Sequence, residues 1–428
     1  MKKNKFIKTS ISLIFLIISL LFCLFFKDYS YVRKCILGVF ILSISMYMLW
    51  QVRKDKYYVL MMGIIVYINI TICFSDCISN AVLSVPANSL LWQNLRKSNS
   101  EILFLESLAL FLSIFNCFIS NKAEYIERRI LKNKSNLYCY CIGFVVLIFG
   151  LLNGYSTGVN NVDGYESNTS AMFEYCTLFF LLTWYYAGKN KSRHMLLLLY
   201  GLAYITLAVF HGDRSSAFPM ILLIVILYLP EISLPKVFCL AFMGIFASNI
   251  ISVYRNNYSL ENFWKNFFYN YGLRGFFSDT VSFSYYTGIS IVEVKSMLVN
   301  TSKYFIDYVC GIFLGGGFGK ADVTTFCKQY AMNKGGGMCV SSFYFWFGFL
   351  GIVLLGIIVG WVCKKIQNKE YNFYLILKIY ITIDVFRWYL YSSFDFFRGC
   401  LFVLPIIYSL FNIIDMLVNK NFKIKIYR

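Results

Sequence analysis

The sequence predicts an all-α fold, a polytopic integral membrane protein of about 12 transmembrane helices with one long extracytoplasmic loop. Three observations predict it. Apolar runs of about 18 or more residues recur from Ile11 to Val418, and each can cross about 30 Å of hydrocarbon as a helix. Of 428 residues, 59% are hydrophobic and only 14% charged, where a soluble domain carries roughly a quarter charged. The lysines and arginines fall in short clusters between the apolar runs.

The segment Met1–Lys8 holds four lysines ahead of the run Thr9–Phe26. That run is followed by Lys27-Asp28-Tyr29 and not by a small-residue cleavage site, so it reads as an uncleaved first span. Further spans are expected at about 35–50, 57–78, 101–120, 137–154, 170–187, 194–210, 216–229, 237–253, 338–362, 371–391 and 400–418. An even number of spans puts both termini on one side. The segments on that side hold 23 Lys and Arg, against 7 in the short loops opposite. Basic residues in short loops stay in the cytoplasm, which places both termini there and the long loop, about 254–337, outside. A single membrane domain then accounts for 1–428.

The net charge of +19 does not indicate nucleic acid, because no segment or face gathers the basic residues. The fourteen cysteines show no disulfide or zinc spacing, and most lie inside apolar runs as small hydrophobes. Cys310, Cys327 and Cys339 lie in or beside the long loop, where free thiols are expected. Two histidines are too few for a histidine-based metal site, and no cofactor is called for. Gly315-Gly316-Gly317-Phe318-Gly319-Lys320 looks like a phosphate loop, but Leu314 stands where that loop needs Gly and Ala321 where it needs Ser or Thr.

Candidate chemistry begins at His211-Gly212-Asp213-Arg214. Ser216 reads as an N-cap and Pro219 as a first-turn residue of the helix that follows. The unsatisfied N–H groups of that helix start would face outward beside Arg214, with Asp213 adjacent, as an anion site. The alternative is that Arg214 snorkels to a head group or pairs with Asp213. Two other inward-running spans start in a similar way. One follows Gly335-Gly336-Gly337, whose bare backbone suits close approach of a phosphate or a hinge; the other follows Arg398-Gly399. In the long loop, Arg255 and Arg274 offer planar forks for phosphate, or are solvated loop residues. Asp279, Glu293, Asp307 and Asp322 are candidates for a general base or a sugar-hydroxyl ligand. Asp384 and Arg387 lie three apart on one helical face and read as an internal pair, with Arg387 also within reach of substrate.

These features resemble the Wzy-type O-antigen and oligosaccharide repeat-unit polymerases of bacterial surface polysaccharide synthesis. Gly212-Asp213-Arg214-Ser215 is similar to the family's Gly-Ser-Arg-Gly at the start of a span. The stretch Gly335-Gly336-Gly337-Met338-Cys339-Val340-Ser341-Ser342-Phe343-Tyr344-Phe345-Trp346-Phe347-Gly348-Phe349-Leu350-Gly351 resembles a glycine run followed by Phe-Gly-x-x-Gly entering a span. Ser342 or its neighbours stand where the family commonly has a Glu, which moves any catalytic acid elsewhere. The resemblance implies a metal-independent, inverting glycosyl transfer at the outer face of the bacterial inner membrane. The growing glycan would pass from undecaprenyl pyrophosphate to the next lipid-linked repeat unit, in a lipid bilayer, beside a flippase and a chain-length regulator. On this reading Arg214, Arg255, Arg274 and Asp279 are catalytic, and Asp213, the three glycines, Arg387 and Arg398 bind substrate. An O-antigen ligase usually carries a conspicuous His in its late external loop, and Tyr254–Gly337 contains none. A flippase needs charges along an intramembrane pathway, whereas here the charges read as concentrated outside.

Overall fold

The computed structural model describes residues 2–25, 28–78, 95, 97–119, 135–155, 169–229, 231–257, 264–265, 278–367, 369 and 371–426, with backbone alone at 2–6, 248–249, 251–257, 279 and 419–426. The described residues are helical apart from turns and one isolated bridge, Tyr155 to Thr169. In chain order the helices are α1 Lys2–Phe25, α2 Tyr31–Val52, α3 Lys56–Ile70, α4 Asn99–Phe118, α5 Leu137–Leu152, α6 Ala171–Ala187, α7 Lys191–Phe210, α8 Arg214–Tyr228, α9 Leu234–Asn257, α10 Asp279–Met297, α11 Phe305–Leu314, α12 Val323–Cys327, α13 Met338–Phe347, α14 Phe349–Gln367, α15 Asn372–Ile383 and α16 Leu404–Ile426. Wider π turns extend α3 over Thr71–Ile78, follow α15 over Phe386–Tyr391 and lead into α16 over Phe396–Val403.

Among the described residues, seven helical segments are long and apolar enough to cross a membrane: Ile7–Phe25, Tyr31–Val52, Lys56–Ile78, Asn99–Phe118, Lys191–Phe210, Phe349–Gln367 and Ser393–Val418. The protein is a polytopic helical membrane protein. Five shorter apolar helices, Leu137–Leu152, Arg214–Tyr228, Leu234–Ala247, Met338–Phe347 and Asn372–Ile383, each overlap an expected span, and Ala171–Ala187 occupies the span expected at 170–187.

The helix α4 is the axis of the bundle, packed on α1, α2 and α14. Between α4 and α14 the approach is close because Gly356 and Gly360 share one face of α14. A Cβ at these positions would stand 2.9 Å from Ile114 and 2.6 Å from Phe118. Small residues four apart let helix backbones meet where lipid supplies no hydrophobic drive to association. Buried hydrogen bonds add specificity, as between Gln51 and Asn116 at 3.1 Å and between Ser19 and Ser113 at 2.5 Å.

Two expected spans are built differently. The run 338–362 is not one helix: α13 stops at Phe347, Gly348 takes φ +61°, and α14 restarts at Phe349. The run 371–391 is regular only to Ile383 and then unwinds through the π turn. The segment expected as one loop, 254–337, also departs from expectation. Its described part contains α10, a nineteen-residue helix with Tyr285, Tyr286 and Ile289 fully buried. Serines and threonines interrupt its apolar residues, which hides it from a hydropathy reading. They are tolerated inside because neighbours satisfy them: Ser282 donates to Asp76 at 3.1 Å. All fourteen cysteines are free thiols, and burial, with Asp322 nearby, pushes the Cys327 thiol up to about 12.

Candidate functional site

One end of the bundle collects ionisable residues from helix ends far apart in the chain. After α7, Gly212 adopts φ +67° and turns the chain into α8. Asp213, and not Ser216, is the N-cap: its Oδ1 accepts from the Ser216 N–H at 3.1 Å and from the Ser215 hydroxyl at 2.6 Å. Its Oδ2 accepts from the Tyr155 hydroxyl at 3.2 Å, while the Tyr155 ring stacks on His211 at 3.8 Å, within 1° of parallel. A carboxylate whose two oxygens accept from several donors at a helix start explains the choice of cap. Both carboxylate oxygens of Asp213 are thus engaged within the protein. Arg214 is the first residue of α8 and is buried, 6% exposed, which is not the position of a side chain snorkelling to a head group.

Pro219 lies in the second turn of α8, beyond the first turn in which it was expected. It has no N–H to donate to the carbonyl four residues back, that of Ser215. Arg387 fills the place, donating from Nε to the Ser215 carbonyl at 3.2 Å and from Nη2 to the Ser216 hydroxyl at 3.3 Å. Its Nη1 pairs with Glu174 Oε2 at 3.1 Å, across to the first turn of α6. The internal pair expected between Asp384 and Arg387 is therefore replaced: the direct ion partner is Glu174. Asp384 closes α15, its backbone carbonyl accepting from the Arg387 and Trp388 amides. Asp384, Asp395 and Glu174 all lie within the electrostatic reach of Arg387.

The other predicted residues divide. Arg398 donates from Nη1 to the Gly311 and Ile312 carbonyls at 3.1 and 2.8 Å, and from Nε to the Tyr175 hydroxyl at 3.2 Å. It caps the C-terminus of α11, so these donors do not face a ligand. Gly335, Gly336 and Gly337 have φ of +91°, +78° and +130°. The bare backbone of the last two serves packing on α10: a Cβ on Gly336 would stand 2.5 Å from Ser284 Oγ, and one on Gly337 2.9 Å from Ile291, while one on Gly335 would meet nothing within 4 Å. Arg274 lies outside the described residues. Of Arg255 and Asp279 only the backbone is described, in the last turn of α9 and at the first residue of α10. Among the remaining acids, Glu293 accepts from Ser100, Asp307 from the Lys320 amide at 3.1 Å, and Asp322 caps α12.

Sequence reasoning missed Glu174, Asp395 and a second buried cluster. Lys34 pairs with Glu101 at 2.7 Å, both side chains fully buried; Glu101 also accepts from the Tyr285 hydroxyl at 2.9 Å, and Arg33 pairs with Glu106. Charges therefore do lie inside the bundle, contrary to the expectation that they are concentrated outside it. Lys378 and Asp55 pair at 2.6 Å, with Asp55 also capping α3. The signal was available: a lone ionisable residue in an apolar run must find a partner or a polar cavity. Glu174, Glu101 and Glu106 each met that description.

No protein-family model, curated protein or solved structure matches this chain. Its reading rests on the site. Around Arg387 stand one half-exposed carboxylate, Glu174, two further acids and the start of α8 with Arg214 beside it. The Arg387 fork is committed to Ser215, Ser216 and Glu174, so what it offers a phosphate-bearing anion is its charge, beside Arg214 and the positive end of α8, and adjacent carboxylates can take a proton.

Proposed function

We propose that the protein is an oligosaccharide repeat-unit polymerase acting at the outer face of the bacterial cytoplasmic membrane, on undecaprenyl-pyrophosphate-linked glycans. One observation carries the proposal: the Arg387 guanidinium locked against the start of α8, with Glu174 at 3.1 Å. In the reaction, a hydroxyl oxygen of the incoming repeat unit attacks the anomeric carbon of the growing glycan. The bond from that carbon to the pyrophosphate oxygen breaks, and its electron pair leaves with the pyrophosphate. The hydroxyl proton passes to one of Glu174, Asp384 or Asp395. Arg387 and Arg214 supply preorganised charge where the leaving group becomes more negative, which lowers the barrier because no reorganisation is needed at that moment.

The buried pairs Lys34–Glu101 and Arg33–Glu106 favour a second reading, a lipid-linked oligosaccharide flippase, since ionisable groups at membrane depth mark transport pathways. A deletion strain separates the two. With a polymerase lost, single repeat units still reach the outer face and long chains disappear. With a flippase lost, the units stay on the cytoplasmic side. Long polymer persisting in the deletion strain, on any carrier, defeats the polymerase reading.

A further inference from the structure

We infer that α11, Phe305–Leu314, is embedded in the membrane leaflet on the side where the span Ser393–Val418 begins, and that the face left exposed among the described residues contacts lipid hydrocarbon. The helix lies within the segment that the sequence reads as one long extracytoplasmic loop. Its two faces are both apolar. Tyr308 and Gly311 are buried inward, with Tyr308 against Trp346 at 4.4 Å and Phe397 at 6.2 Å. On the opposite face, at helical spacing, Ile306 is 68% exposed, Val309 38%, Phe313 56% and Leu314 68%. A loop helix in water shows polar residues on its outer face, and an apolar helix of ten residues is too short to span and is typical of interfacial or re-entrant segments.

Three further observations assign lipid as the occupant. First, α11 is joined to the wall of a span: Phe313 packs edge-on against Phe402 at 4.9 Å, and below that contact Ile406, Leu410 and Ile413 continue as an exposed apolar stripe on α16. Phe402 stands nine residues into Ser393–Val418, roughly 10–14 Å along the axis at about 1.5 Å per residue. Second, polarity falls along the helix. Lys303 and Lys320 are exposed at its start, where the Lys320 amide meets Asp307, while Phe313 and Leu314 lie at its far end. Lysines at that level suit anionic head groups. Third, Arg398 donates to the Gly311 and Ile312 carbonyls. A helix end in water leaves such groups to solvent, whereas in hydrocarbon the protein must supply the donor.

The test uses the unmodified full chain in nanodiscs whose phosphatidylcholine carries a photoactivatable diazirine in its acyl chain, with labelled peptides mapped by mass spectrometry. The expected result is labelling of 305–314 at the level seen for 404–418. A second sample is labelled with a water-soluble diazirine. Labelling of 305–314 by that reagent and not by the lipid overturns the proposal, and protection from both reagents overturns it in favour of cover by another protein surface. In Phe313→Asp, a carboxylate at the deep end should reduce lipid labelling of the same peptide; labelling equal to wild type also counts against embedding.

Discussion

The Ser215 carbonyl loses its helical donor to Pro219, and Arg387 Nε occupies it at 3.2 Å. A residue 172 positions later in the chain thereby completes the first turns of α8, and the same guanidinium reaches Glu174 in α6. The geometry uses three edges of a planar fork, so a point charge cannot replace it.

Arg387→Lys should lose most polymer synthesis while the protein still accumulates in the membrane. Losing one charge-assisted hydrogen bond costs about 1.5–3 kcal/mol, or roughly ten- to a hundred-fold in rate. Pro219→Ala restores an N–H that competes for the Ser215 carbonyl. It should weaken synthesis less than Arg387→Lys, and the double variant should be no worse than Arg387→Lys alone. Polymer yield per unit of membrane protein is the measurement, and additive losses would separate Pro219 from Arg387.

Lys34→Met leaves Glu101 buried without its cation, a change that costs about 3–5 kcal/mol where neither partner reaches water. The double variant Lys34→Met/Glu101→Gln removes both charges and keeps an acceptor for the Tyr285 hydroxyl. Its thermal unfolding midpoint in detergent should return close to wild type. A midpoint as low as that of the single variant would mean that the pair itself, and not the unpaired carboxylate, matters.

Gly336→Ala should destabilise the protein more than Gly335→Ala. Both positions have positive φ, but a methyl on Gly336 meets Ser284 Oγ at 2.5 Å, while one on Gly335 meets nothing within 4 Å. Strain of this kind costs about 1–3 kcal/mol. Adding Ser284→Ala should recover part of the loss at Gly336 and none at Gly335; equal melting temperatures for the two glycine variants would contradict the packing role.

Basic-residue asymmetry puts the 254–337 side of the membrane outside the cell and 188–193 inside, so the turn between α10 and α11 that carries Ser302 should face outward. In a cysteine-free protein carrying one new thiol, an impermeant maleimide added to intact cells should label Ser302→Cys and not Lys189→Cys. Reversed labelling would invert the orientation and remove the proposed outer-face reaction.

The membrane class and most helix positions were legible from the residues alone, because hydrocarbon thickness sets a length of apolar chain that no tertiary contact needs to confirm. Among the described residues, seven helices of spanning length each overlap an expected run. A helix start in this stretch was legible too, since cap and proline signals are local, although the cap proved to be Asp213 and the helix begins at Arg214, earlier than the cap read at Ser216 implied. What the residues alone could not decide was partnership. Glu174 and Arg387 are 213 positions apart, Lys34 and Glu101 belong to different helices, and Arg398 is committed to the end of α11. A charge in an apolar run announces that it needs a partner, but which helix supplies it depends on how ridges, glycines and breaks such as Gly348 pack the bundle. α10 was hidden for the same reason: its serines and threonines are polar in the sequence, and only burial against Asp76 and its neighbours makes them part of the core.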